Sequence, residues 1–333
     1  LHTCDYLASR GYEITYIDVD ENGVIKLDQL KAAIRPDTIL ISVMFANNEI
    51  GTIQPIEEIG AIAKEHGILF HTDAVQAYCQ VPIDVDKMHI DMLSISGHKI
   101  NGPKGIGFLY IRKGVKIRSF IHGGAQERNR RAGTENVPGI AGLGKAAELI
   151  YTKDFDEKVD KMYELRDYFV SELEKLDGVY INGMRGRESA PHVVSAGFEG
   201  VRAEVLLHAL EDKNIYVSSG SACSSNKPGL SSTLVAIGTK KELLDSTIRF
   251  SFCFETTKEQ LDYTLEALKE LVPGVLSVKV VIHPLASSTR DIALIGEYED
   301  EAALKTYAGH PEHVKVVETL IKKFCTDRTA FDF

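Results

Sequence analysis

The 333 residues are 44% hydrophobic and 26% charged, the balance of a soluble globular chain long enough for roughly two domains. A net charge of -10 excludes any general attraction to nucleic acid or to an anionic membrane surface. No apolar run approaches the ~20 residues of a membrane span, and the first residues, Leu1 to Asp5, have neither the basic nor the apolar region of a secretory signal.

In chain order, 12–19 reads as a strand and 27–34 as a short helix with Asp28 in its first turn and Pro36 beyond it. The run 38–45 is nearly all apolar, as expected of a strand covered on both faces. Residues 55–66 carry Ile56, Ile59, Ile62 and Ala63 on one stripe, with Pro55 near the start and Gly67 at the end, which predicts an amphipathic helix. Strands follow at 68–71, 91–96 and 107–111. Strands alternating with helices at this spacing predict an α/β fold with a mostly parallel sheet and helices on both faces.

The stretch 142–176 is helical in pattern, with a break expected near Thr152 to Asp154. It leads to a smaller α+β domain with strands at 179–181, 193–198, 215–218 and 246–252 and helices at 203–213 and 258–271. After Pro273 the organisation changes to strands at 275–283 and 291–297, helices at 299–308 and 310–324, and a last strand at 329–333. Three units are therefore expected: 1–145, 146–272 and 273–333.

Five cysteines, Cys4, Cys79, Cys223, Cys253 and Cys325, lie far apart and form no C-x-x-C pair. An odd, scattered set argues against a disulfide framework or a zinc site and suits a reducing cytoplasm.

Several stretches could carry chemistry. Ser94 to Ser96 deliver His98 and Lys99 at the end of an apolar strand, before a turn with Gly102, Pro103 and Gly105. A desolvated lysine amine on a rigid strand end suits Schiff-base chemistry; two surface charges beside a turn are the plain alternative. Asp73 and Gln76 follow the strand 68–71, at the sheet edge where α/β folds bind ligands. An acid there can pair with a protonated pyridine nitrogen, or simply cap the next helix. Asn47, Asn48 and Glu49 follow the strand 38–45 and point to the same edge, or form an ordinary turn. Arg128, Arg130, Arg131 and Thr134, among glycines, suit a phosphate or a solvated basic loop. Cys223 sits in a run of small residues, Ser218 to Ser225, where a thiol is exposed and usable as a nucleophile, or is incidental to a flexible linker. Arg249 lies inside an apolar strand and needs an anion, either a substrate carboxylate or a structural acid.

In this order and spacing, ANNEIGTIQP, HTDAVQA, SGHKINGPKG, RRAGTENV, SSGSACSS and IRFSF...TT resemble the cysteine desulfurases of the NifS/IscS type, pyridoxal-phosphate enzymes of the class V aminotransferase fold. The resemblance runs to about Pro273. It implies the fold type I of pyridoxal-phosphate-dependent transferases. It also implies that Lys99 holds pyridoxal 5'-phosphate, Asp73 pairs with its ring nitrogen and Gln76 bonds its ring hydroxyl. Asn48 would contact cofactor and substrate. Ser96 and His98 would bind the phosphate, with Thr134 reaching the phosphate of a neighbouring subunit. Arg249 would hold the carboxylate of L-cysteine, and Cys223 would take its sulfur as a persulfide. The products would be L-alanine and sulfur for an acceptor such as an iron–sulfur scaffold protein. A cytoplasmic homodimer with neither nucleic acid nor membrane as partner is implied.

Members of the family carry a further segment before the position of Leu1, with a phosphate-binding threonine loop and a histidine stacked on the ring. Without it the chain is expected to hold the cofactor poorly or not at all, with loss of activity. The alternatives are an inactive, dimerising scaffold or a related class V lyase or aminotransferase. From about Pro273, the pattern through Asp291 to Tyr298, His310 to His313 and Asp327 to Phe333 resembles the second half of the stress-responsive A/B barrel family, a ferredoxin-like α+β fold. His310 and His313 are read as packing at a helix start, and no metal site is expected.

Overall fold

The computed structural model describes residues 2–219, 230–271, 275–282 and 292–298, together with Lys305. After α1 (His2–Ser9) and α2 (Leu27–Ala33), β1 (Leu40–Met44), β2 (Leu69–Asp73) and β3 (Met92–Ser96) form a parallel set, and β4 (Gly107–Ile111) closes it antiparallel to β3. The sheet order is β1-β2-β3-β4. The helix α3 (Ile56–Glu65) crosses from β1 to β2, with Glu57 and Glu58 in its first turn and Lys64 in its last, each matching the helix dipole. Its buried stripe of Ile56, Ile59, Ile62 and Ala63 packs into one core with Phe45, Phe70, Leu93 and Ile95.

A single turn, α4 (Gln126–Asn129), precedes α5 (Val137–Ile150), whose first turn is capped by the Asn136 side chain accepting from Gly139 N–H at 3.1 Å. The chain breaks at Tyr151–Asp154 as expected, then runs through α6 (Phe155–Leu173). A second sheet, ordered β5-β6-β8-β7, is antiparallel throughout: β5 (Val179–Asn182), β6 (Val193–Phe198), β7 (Ser218–Ser219) and β8 (Thr247–Ser251). With α6, α7 (Ala203–Glu211) and α9 (Lys258–Glu270) it encloses a second core, in which Phe169 meets Phe250 edge-on at 5.1 Å. Between β7 and β8 lies α8 (Ser232–Ala236). Beyond α9, β9 (Val275–Ile282) and β10 (Ile292–Tyr298) pair antiparallel.

Three expectations change. Residues 12–18 have no regular structure and Val19 makes only an isolated bridge to Ile25. A strand needs a neighbour to satisfy its backbone, and none of the described strands pairs with this segment, which leaves Tyr12 and Tyr16 half exposed. The run 38–45 is not covered on both faces: β1 lies at the sheet margin, and Ile39 and Leu40 are 65% and 45% exposed. Only Ser218–Ser219 of the predicted strand 215–218 pairs with β8. The predicted strand 329–333, the helix 310–324 and most of the helix 299–308 lie outside the described residues.

A seam of backbone hydrogen bonds joins the two cores. Ile53 N–H donates to the Glu188 carbonyl at 2.9 Å and Ala190 N–H to the Gly51 carbonyl at 2.8 Å, with Thr52 bridging Ser189. Gly51 adopts φ of +79°, and a Cβ there would stand 2.9 Å from Ser189 Oγ and 3.3 Å from Val193. Both the backbone conformation and the close approach require glycine. Across the seam, Arg249 of β8 reaches the loop after β1 and His192, just before β6, reaches the turn after β2.

Candidate active site

The loops at the carboxyl ends of β1, β2 and β3 supply most of the site. After β1, the Asn47 side chain is spent on its own turn, accepting from Glu49 N–H at 2.8 Å and Ile50 N–H at 3.0 Å. That leaves Asn48 at the tip. Asp73 ends β2, opposite Ser94 of β3 and Met44 of β1. Its exposed carboxylate accepts from Val75 N–H at 3.0 Å, so it caps the following turn while still facing out of the sheet edge. Gln76 lies in that turn. On the same face, the His71 ring shares hydrogen bonds with Ser42 and Ser94, both at 2.8 Å, tying β1, β2 and β3 together. Burial lowers the pKa of this imidazole, with the Asp73 charge opposing.

After β3 the chain turns through a 3-10 segment, Gly97–Ile100, whose apolar ends Gly97 and Ile100 are buried and whose middle, His98 and Lys99, is exposed. Of the two readings open from the sequence, a desolvated amine or a surface charge, the exposure of Lys99 at the end of β3 matches the second in the chain without bound cofactor. Ser96 Oγ and His98 Nδ1 meet at 2.7 Å, pairing the two groups expected at a phosphate. Thr134 lies exposed before α5, and among the described residues no hydrogen bond links it to this cluster. Cys223 lies outside the described residues.

The second core contributes two groups across the seam. Arg249 of β8 donates from Nη1 to the main-chain carbonyl of Asn48 at 2.9 Å. His192, just before β6, places Nε2 3.1 Å from Gln76 Oε1. It is 9% exposed, and its Nδ1 has no hydrogen-bond partner among the described residues. Burial, with the positive charges of Lys99 and Arg249 adding, holds its imidazole down at about 4. In the sequence this histidine is only a lone ring at the head of the apolar run 193–198. Asn48, Asp73, Gln76, Ser96, His98 and Lys99 thus lie at or just beyond the carboxyl ends of β1, β2 and β3, where Arg249 reaches Asn48 and His192 reaches Gln76.

The donor set fits pyridoxal phosphate. An exposed carboxylate, a side-chain amide and a primary amine follow two adjacent strands, and a hydroxyl–imidazole pair stands at the start of the 3-10 turn. Those are the groups that a protonated ring nitrogen, a ring oxygen, an aldehyde and a phosphate require. Among the described residues no group of three or more His, Cys, Asp or Glu is placed to hold a metal ion, and no helix is long and apolar enough to cross a membrane.

Known proteins resemble the chain in sequence and fold. Residues 2–264 match the aminotransferase class-V family, and residues 246–333 match the stress responsive A/B barrel domain, so β8 and the first half of α9 fall within both matches. The chain is 53% identical over 272 residues to "Cysteine desulfurase IscS" of Methanosarcina thermophila, spanning 82% of this chain and 67% of that protein. It is 50% identical over 273 residues to the protein of the same name from Dictyoglomus turgidum, spanning 82% and 69%. Among solved structures, a "NIFS-like protein" superposes with a TM-score of 0.73 at 39% identity, covering 81% of this chain and 71% of that one. The apo structure of a cysteine desulfurase from Thermococcus onnurineus NA1 gives 0.69 at 27% identity, covering 82% and 69%.

Proposed function

The chain belongs to the aminotransferase class-V family, among its cysteine desulfurases, and from that premise we propose that it removes sulfur from L-cysteine with pyridoxal 5'-phosphate, giving L-alanine. The observation that carries this reading is the shared edge at which Asp73, Gln76 and Lys99 lie, with Arg249 hydrogen-bonded to Asn48 beside them.

Pyridoxal phosphate, when bound, supplies an electron sink conjugated to the substrate amine. The chain's own residues supply the rest. Lys99 would hold the cofactor's aldehyde carbon through its amine. Asp73 would keep a proton on the ring nitrogen, and Gln76 would donate to the ring oxygen. Ser96 and His98 would bind the phosphate, with Thr134 serving the phosphate of a neighbouring subunit in a homodimer. Asn48 lines the cofactor and substrate side, and Arg249 anchors the substrate carboxylate through its planar fork. The Cys223 sulfur bonds to the substrate sulfur as the bond from that sulfur to Cβ breaks. Cβ leaves as the methyl group of L-alanine after gaining one proton, and Cys223 keeps the sulfur as a persulfide.

The persulfide then passes to an acceptor thiol, such as that of an iron–sulfur scaffold protein, in the cytoplasm. We assign 1–145 to the cofactor-binding domain and 146–272 to the smaller domain that carries Arg249 and Cys223. We assign 273–333 to a partial segment resembling the ferredoxin-like stress-responsive A/B barrel.

Titration of the chain with pyridoxal phosphate tests the reading. Contrary to the poor binding expected from the sequence, wild type should develop the visible absorption band of bound cofactor, and Lys99→Ala should not. A wild-type chain without that band at saturating cofactor overturns the reading in favour of an inactive scaffold. If the band forms but Cys223→Ala still converts substrate at the wild-type rate, a class V lyase or aminotransferase replaces the desulfurase.

A further inference from the structure

Among the described residues, His192 is the buried titratable side chain that touches a residue of the site and has no part in the chemistry above. Its Nε2 faces Gln76 Oε1 at 3.1 Å, and its Nδ1 is buried without a partner among the described residues. Its ring is held neutral, so it carries one proton on one of two nitrogens. If that proton sat on Nδ1, a buried N–H would go without an acceptor, at a cost of about 1–3 kcal/mol. On Nε2 the proton has an acceptor in the Gln76 carbonyl, and Nδ1 is left as a bare lone pair, which costs less. The ring therefore selects the Nε2–H tautomer, and that tautomer selects the orientation of the Gln76 amide: carbonyl toward His192, amine outward. Without this partner the amide could present either end.

We infer that His192 is a positioning residue for Gln76, fixing the amide so that its NH2 donates to an anionic ring oxygen of the group bound beside Asp73 and Lys99. The inference rests on the cofactor reading above. It adds what that reading leaves open: why Gln76 acts as a donor, so that the bound ring oxygen is stabilised in its deprotonated form. Lys99 and Arg249 supply positive charge on the same side, which favours the same anion and keeps His192 neutral. His192 reaches this place because its own backbone is fixed, its carbonyl accepting from Phe252 N–H at 3.0 Å beyond the end of β8.

Two measurements decide it. In the cofactor-free chain, nitrogen NMR of labelled histidine should show His192 as the neutral Nε2–H tautomer; the Nδ1–H tautomer overturns the inference whether or not cofactor binds. In the loaded chain, His192→Phe should weaken pyridoxal phosphate binding roughly 3- to 10-fold, the loss expected for one hydrogen bond. The pH midpoint of the bound cofactor's visible band should also rise. His192→Gln keeps an N–H donor at the Nε2 position and should restore both toward wild type. Wild-type affinity and midpoint in His192→Phe overturn the inference. A wild-type chain that binds no cofactor overturns the functional reading instead, with the tautomer still to decide this one.

Discussion

Arg249 and Asn48 lie 201 residues apart and are joined by a 2.9 Å hydrogen bond from the guanidinium Nη1 to the Asn48 main-chain carbonyl. The contact holds one arm of the guanidinium at the loop after β1 and so fixes the plane of the fork. Lysine keeps the charge but has no fork. Arg249→Lys is expected to raise the KM for L-cysteine about 10- to 100-fold, the loss of a charge-assisted contact, with a smaller change in kcat. Steady-state alanine formation measures this, and an unchanged KM would remove Arg249 from substrate anchoring.

The seam between the two cores depends on Gly51, which combines a φ of +79° with a neighbour 2.9 Å from any added Cβ. Gly51→Ala should destabilise the chain by roughly 1–3 kcal/mol. It should also loosen the contacts of His192 and Arg249 together, since both cross at this seam. Urea unfolding reports the first effect and cofactor affinity the second. A variant as stable as wild type would show that the seam has slack.

Acid stability should carry the signature of His192. Its folded-state pKa of about 4 lies below the ordinary 6.5. Between those values the unfolded chain binds a proton that the folded chain does not, so stability falls as pH drops through the interval. Above 6.5 both states are neutral, and below about 4 both are charged, so the dependence ends at each side. The full effect is about 3 kcal/mol. Urea midpoints at about pH 7 and about pH 4.5 should therefore fall further for wild type than for His192→Gln. Equal drops would mean that the imidazole is protonated in the folded chain.

Glu49 accepts hydrogen bonds from Ser231 and Thr233, and Ser231 in turn accepts from Leu234 N–H at 3.1 Å to cap α8. The carboxylate thus fixes the short helix to the loop after β1. Glu49→Gln keeps the shape and removes the charge. Hydrogen exchange of the α8 amides should speed up about 5- to 30-fold, corresponding to about 1–2 kcal/mol. Unchanged exchange would show that α8 is held by Leu234 and Ile237 packing against Ile50 alone.

What the sequence reveals here follows from how local each feature is. The strand ends carrying Asn48, Asp73 and Lys99 are written in apolar runs broken by turn residues, and α3 and α9 in their stripes and caps. The segment 12–19 has the pattern of a strand, but a strand exists only where a neighbour pairs with it, and pattern cannot supply the neighbour. His192 escaped notice because its partner is 116 residues away and its significance is burial, which a lone histidine does not announce. Arg249 was legible as a cation needing an acceptor. That one acceptor is a main-chain carbonyl of Asn48 could not be read, because every residue has one. Whether Lys99 is buried or exposed is open from the sequence, because a buried strand followed by a turn allows both, and here one 3-10 turn exposes it.

The central claim is that this chain takes sulfur from L-cysteine onto Cys223 at a site built around Lys99. The most direct measurement quantifies L-alanine and sulfide released from L-cysteine, with a thiol reductant present, by the pyridoxal-phosphate-loaded chain beside its Cys223→Ala variant. The account predicts equal amounts of the two products from wild type and neither from Cys223→Ala. Release by the variant at the wild-type rate, or none from a wild-type chain that shows bound cofactor, would contradict it.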